Sequence, residues 1–145
     1  MPDHILLDTN IILDLLAART PFSDEAKSLF TLVEKGRIQA YVSALTIANV
    51  YYIMSRHLKN EEEVRRVIRK LLLLVKPLEL DEKIIRLALE SEFKDMEDAI
   101  QYYTALENGL QIVITRNLKD FRQSTLPVMT AGDYIRAIAD DAAGH

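Results

Sequence analysis

An apolar run that stops abruptly on an acid constrains this chain more than any other feature. Ile5-Leu6-Leu7 is followed at once by Asp8-Thr9-Asn10, and apolar residues then resume at helical spacing in Ile11, Ile12, Leu15 and Leu16. A short run without polar alternation predicts a strand buried on both faces, the pattern of a parallel sheet. Asp8 then stands at the carboxyl end of that strand, where open parallel sheets bind their ligands. An acid is costly to bury there unless it is paired or holds a metal. Asn10 is expected to cap the helix that follows, and Asp14 to belong to that helix's surface.

The rest of the chain alternates in the same manner. Ser23-Asp24-Glu25 opens a second helix that stops at Gly36, and Ile38 to Val42 reads as a strand. Ser43 caps a long helix to about Leu58. Asn60 opens another, ended by Lys76-Pro77, with Pro77 to Leu80 as a short extended segment. Asp81 caps a helix to about Glu90, and Lys94-Asp95-Met96-Glu97-Asp98 leads into one closed by Asn108-Gly109. Gln111 to Ile114 is a second β-branched strand, Val128-Met129 a last short one, and Thr130 caps a terminal helix from about Gly132 to Ala139. Strand and helix in alternation predict an α/β fold, a three-layer α/β/α sandwich with a central, mostly parallel sheet of about five strands. Residues 1–139 are expected to form one domain and 140–145 a flexible tail.

Composition narrows the function. The chain has 145 residues, a net charge of −4 and no cysteine. Disulfide and thiolate chemistry are therefore excluded, and an acidic chain is no nonspecific coat for nucleic acid. An enzyme that handles nucleic acid through a metal and a local basic rim remains open. No apolar run approaches the roughly 20 residues that span a bilayer, so a soluble cytoplasmic protein is expected, without a membrane partner. His4, His57 and His145 show no metal spacing. Arg65, Arg66, Arg69 and Lys70 read as a solvated helix face before an RNA rim. Tyr51, Tyr52, Tyr102 and Tyr103 read as packing or interface residues. No Gly-rich phosphate loop or nucleophile elbow is present.

Three polar clusters fall at element junctions: Asp8-Thr9-Asn10, the pair Asp95 and Asp98, and Thr115, Asn117 and Asp120. If the first and fourth strands are neighbours, these meet at one edge of the sheet. Acids gathered in one pocket repel each other unless a cation is present, and carboxylate, amide and water oxygens suit Mg²⁺. Other roles are open for each. Asp98 also fits a first-turn helix acid, Asp95 and Asp120 fit caps, and Asn117 fits an Asx turn.

The stretches Leu7–Asp14, Val42–Asn49, Lys94–Ala99 and Ile114–Phe121, in that order, resemble the PIN-domain family, in its toxin-like branch related to VapC ribonucleases. The resemblance implies an α/β/α domain that cleaves RNA with Mg²⁺ or Mn²⁺, a homodimer, and a small antitoxin protein as partner. It implies Asp8, Asp98 and Asp120 as metal ligands, with Asn117 beside them among the catalytic residues. Thr9, Asn10, Asn49, Asp95 and Thr115 would support them or the substrate. Asn49 stands where the family usually has Glu. An amide brings no charge and cannot act as a base. The rival expectation is therefore a weakened PIN-like module that works by binding RNA or a protein.

Overall fold

Four helix caps explain much of the chain's segmentation. Ser43, Asn60, Asp81 and Asp95 each accept a backbone N–H from the first turn of the helix they precede. Such side chains satisfy donors that a helix start leaves unpaired. The structure, a computed structural model, describes residues 2–143. In chain order it comprises β1 (Asp3–Leu7), α1 (Thr9–Leu16), α2 (Ser23–Glu34), β2 (Ile38–Ser43), α3 (Ala44–His57), α4 (Glu61–Leu71) and β3 (Val75–Leu78). These are followed by α5 (Glu82–Glu90), α6 (Met96–Glu107), β4 (Ile112–Ile114), a 3-10 turn (Leu118–Phe121), β5 (Val128–Met129) and α7 (Ala131–Ala143).

The five strands form one parallel sheet in the order β3-β2-β1-β4-β5. β1 is central, and its residues alternate between two apolar layers as the pleat requires. Ile5 and Leu7 pack with Ile38, Val42 and Ile114 against α1, α2, α3, α4 and α7. Leu6 points the other way, with Val113, Tyr102 and Phe121, beneath α6. All three β1 residues have no exposed surface, as an apolar run without alternation implies. The expected three-layer α/β/α sandwich is what forms.

Several local expectations are corrected. Asp8, not Asn10, caps α1, accepting the Thr9 N–H at 2.7 Å. α4 ends at Leu71, and Val75-Lys76-Pro77 belong to β3, an edge strand where a proline costs no ladder bond. The terminal helix continues past Ala139 to Ala143, so only residues 144 and 145 of the expected tail lie outside the described residues. Asp14 is not a surface residue: it is 1% exposed.

The other singled-out groups serve structure. His4 pairs through Nδ1 with the Tyr41 hydroxyl at 2.7 Å, and His57 Nδ1 meets the Ile53 carbonyl. His145 lies outside the described residues. Arg65 and Arg69 are exposed and lie near Glu61 and Glu62. Tyr102 is buried beside Phe93, whereas Tyr52 is 62% exposed. No helix among the described residues is long and apolar enough to cross a membrane.

Candidate active site

The strand order reverses at β1. The chain leaves it for β2 and β3 on one side and returns to β4 on the other, which opens a crevice at the carboxyl ends of β1 and β4. The parallel register sets Leu7 beside Ile114, so the next residues, Asp8 and Thr115, emerge together. The Thr115 hydroxyl donates to Asp8 Oδ2 at 2.7 Å, across a sequence separation of 107 residues. Thr115 is fully buried and Asp8 is 4% exposed.

Asp8, Thr9, Asn10, Asp95, Asp98, Asn117 and Asp120 line one cleft of about 370 Å³, joined by Leu13, Arg19, Glu97 and Arg116. Asp95 caps α6 by accepting the Asp98 N–H at 3.0 Å, which fixes the turn that presents both Glu97 and Asp98. Asn117 donates its backbone N–H to the Thr115 hydroxyl, and its carbonyl accepts from Asp120 N. The 3-10 turn thereby leaves both Asn117 and Asp120 on the cleft. Asn10 bridges the floor: Nδ2 faces Asp8 Oδ2 at 3.5 Å and Oδ1 accepts the Arg116 N–H at 3.4 Å. Beneath the cleft, Gln101 donates to the Thr46 hydroxyl at 2.9 Å, and Thr46 meets Thr9 Oγ1 at 2.9 Å. These buried bonds tie α1, α3 and α6 together under the acids.

Asn49 is placed differently from the rest. It does not line the cleft; its Nδ2 donates to Glu97 Oε2 at 3.3 Å, and it is Glu97 that reaches the cleft. The wall expected from α3 is thus furnished with a carboxylate by α6. Sequence reading passed over Glu97, although it lies within the acid run Asp95–Asp98. It placed Asp14 on the helix surface and gave Arg19 and Arg116 no role. The signal for Asp14 was an acid inside a helix that is apolar on every side, a place where an acid needs a partner. Its partners are Arg19 Nε at 3.2 Å and Arg116 Nε at 2.9 Å.

Two of the acids, Asp8 and Asp98, hold their protons more tightly than an exposed carboxyl does. Burial raises the Asp8 carboxyl above its ordinary value, against the opposing hydrogen bonds from Thr115 and Thr9. Burial first, then the charges of Asp8, Asp95, Asp120 and Glu97, push Asp98 up to about 7. Between the ordinary 3.8 and about 7, the folded protein therefore keeps a proton that the unfolded chain releases. The stability Asp98 contributes is present at low pH and lost as pH rises through about 7. The metal-free melting temperature is expected to fall more steeply, or rise less, between about pH 4 and about pH 7 in the wild type than in Asp98→Asn, because the amide does not titrate. Equal slopes would contradict this.

Crowded carboxylates with raised proton affinity suit a hard cation, which relieves their repulsion. The donors do not form a cage. Among the described residues, no three His, Asp or Glu side chains close on one point as direct ligands. Asp8, Asp98 and Asp120, the expected ligands, all line the same cleft. The arrangement suits an ion such as Mg²⁺ that is held by one or two carboxylates and keeps its water.

Comparison with known proteins agrees with this geometry. Ribonuclease VapC1 of Aquifex aeolicus is 22% identical over 135 residues, covering 91% of this chain and 93% of that protein. A toxin–antitoxin complex from Klebsiella pneumoniae contains a chain 29% identical, with a TM-score of 0.63, covering 88% of this chain and 97% of that one. VapBC-1 from nontypeable Haemophilus influenzae has a similar fold at 21% identity and a TM-score of 0.66, covering 89% and 98%. The sequence profile of the PIN domain matches residues 4–119, from the first residues of β1 to the turn that carries Asn117. That match covers most of the chain, and the chain belongs to the PIN-domain family.

Proposed function

We propose that this chain is a metal-dependent endoribonuclease and the toxin half of a toxin–antitoxin pair. The observation that carries the reading is the convergence of Asp8 and Asp98, far apart in the chain, on one cleft at the sheet's switch point. The similarity to Ribonuclease VapC1 and to a chain of the Klebsiella pneumoniae toxin–antitoxin complex supports the substrate and the partner class. A second copy of the chain and a small antitoxin complete the proposed assembly, in the cytoplasm.

Asp8 and Asp98 would hold Mg²⁺ or Mn²⁺ directly, with Asp120 and Asn117 reaching it through water. A cation there supplies positive charge that offsets the acids and polarises a phosphodiester. The chain's own residues do the positioning. Thr115 and the Thr9 N–H fix the Asp8 carboxylate, Asn10 braces it against the β4 exit, and Asp95 sets the turn that aims Asp98. Exposed Asp120 and Asn117 form the outer wall facing a substrate.

Cleavage of total RNA with Mn²⁺, and its loss with EDTA, followed by mapping of the new ends, tests the proposal. Intact RNA after incubation with Mn²⁺ would reject it and favour the weakened module that binds without cutting. Asn49→Glu is a second test. It adds a carboxylate beside Glu97, and the resulting repulsion is relieved by a cation. Calorimetry is expected to show Mn²⁺ bound about tenfold tighter, the scale on which groups around a metal's ligands act. Equal or weaker binding removes Asn49 from the site.

A further inference from the structure

Asp14 is an acid that the proposed metal chemistry does not use, although it is almost fully buried at 1% exposure. A carboxylate at such a position requires compensation. It has two guanidinium partners rather than one, so the unit of Arg19, Asp14 and Arg116 carries one positive charge in excess. Both arginine heads reach outward, with side chains 41% and 29% exposed, and both line the same cleft as the acids. Asp14 faces each at Nε at ion-pair distance, without a hydrogen bond to either Nε. Arg19 uses one terminal nitrogen on the Asn10 carbonyl at 3.3 Å. Among the described residues, the terminal nitrogens of Arg116 make no hydrogen bond, while the guanidinium lies 4.0 Å from the centre of the Phe22 ring.

Arg116 is therefore held by charge beside Asp14 and packed over the Phe22 face, with its terminal nitrogens free of hydrogen bonds. A planar fork of N–H donors held in place is the arrangement that recognises phosphate oxygens in pairs. Its position is also set relative to the acids. Arg116 follows Thr115, which touches Asp8, and its N–H is held by Asn10. On the opposite flank a second cavity of about 330 Å³ shares Asp95, Asp98 and Asp120 and adds Lys94, Lys119 and Arg122. The acidic centre thus lies between two cationic flanks, on a chain whose overall charge is −4.

We propose that Arg19 and Arg116, clamped on the buried Asp14, form an anchoring subsite for a backbone phosphate of single-stranded RNA, from which the strand crosses the acids towards Lys94, Lys119 and Arg122. The inference rests on the nuclease reading for its choice of RNA. Charge alternation along the cleft supplies the rest: cations on both sides of the five carboxylates hold a polyanion across them, and a metal in the middle strengthens that hold.

Anisotropy of a fluorescein-labelled single-stranded RNA oligonucleotide, titrated with the full chain in EDTA, tests the subsite without cleavage. Arg19→Gln and Arg116→Gln each leave Asp14 one partner, and thermal melting checks that both fold. Each is expected to weaken binding about tenfold and to lower the slope of log Kd against log salt by about 0.7, the value of one single-strand phosphate contact. Arg116→Lys, which keeps the charge but not the fork, is expected to fall between. Folded variants that keep the wild-type Kd and slope overturn the proposal. So does an acidic peptide whose binding depends on Arg116 when RNA binding does not, which would assign the fork to a protein carboxylate. RNA binding that depends on both arginines, with no cleavage in Mn²⁺, would uphold the subsite and reject the nuclease.

Discussion

Asp8→Asn is expected to reduce Mn²⁺-dependent RNA cleavage by more than about 100-fold while leaving the fold intact. Removing an outer partner of a metal ligand costs about 10–100-fold, and Asp8 is proposed as a ligand itself. The substitution is close to isosteric. Asp8 receives three hydrogen bonds, and the amide oxygen can still accept those on one side, either from the Thr9 N–H or from the Thr115 hydroxyl and Asn10 Nδ2. The fold should even gain in the absence of metal. Burial holds the Asp8 carboxyl above its ordinary value, which means that the folded state penalises its charge at neutral pH. A neutral side chain removes that penalty. The expected pair of results is therefore a metal-free melting temperature equal to or above the wild type's and a loss of the rise that Mn²⁺ gives the wild type. Cleavage that survives in Asp8→Asn would place the activity elsewhere, in another residue set or in a contaminating nuclease.

Asp14→Ala is expected to destabilise the protein by about 3 kcal/mol, since removal of one partner from a buried ion pair costs about 3–5 kcal/mol. The low end applies because the arginine heads can turn to water. At this chain length the loss corresponds to a fall of about 6–12 °C in melting temperature. The damage should be local to the cleft's rim, since Asp14 is what joins α1 to Arg116 at the exit of β4. Asp14→Asn, which keeps a hydrogen-bonding side chain of the same shape, should lose less. A melting temperature within about 1 °C of the wild type in Asp14→Ala would show that the two arginines do not depend on it. That outcome would also weaken the case for a pre-set phosphate fork.

What could be read from the sequence was whatever depends on near neighbours. Helix caps are such features: Ser43, Asn60, Asp81 and Asp95 sit within three residues of the N–H groups they satisfy. So are the helix stops at Gly36 and Asn108-Gly109, where both glycines take the positive φ that ends a helix cleanly. Asp8 was conspicuous because its neighbours made it so, an acid directly after three apolar residues. The one cap assigned wrongly, Asn10 in place of Asp8, shows the limit of this reading. Both residue types can cap, and only the backbone's turn after Leu7 decided between them. The start of β3 was missed for a related reason. Val75 continues the helical spacing of Ile68, Leu71 and Leu72, and only pairing with Ala40 in β2 makes it a strand residue.

Partnerships over long separations were settled by the tertiary structure alone. No local pattern says that Asp14 meets Arg116, that Thr115 donates to Asp8, or that Glu97 rather than Asn49 brings a carboxylate to the cleft. These contacts follow from the strand order β3-β2-β1-β4-β5, which sets the ends of β1 and β4 side by side and lays α6 across them. By itself the sequence pointed to the family through its ordered motifs and to the alternation of strands and helices, because buried strands, caps and strand exits each write a short-range signature; it also singled out Asp8, Asp98, Asn117 and Asp120, which line the cleft. The structure decided which charges face one another and which are neutralised. The physical reason is that electrostatic pairing depends on distance in space, and chain order does not carry that distance until the sheet has formed.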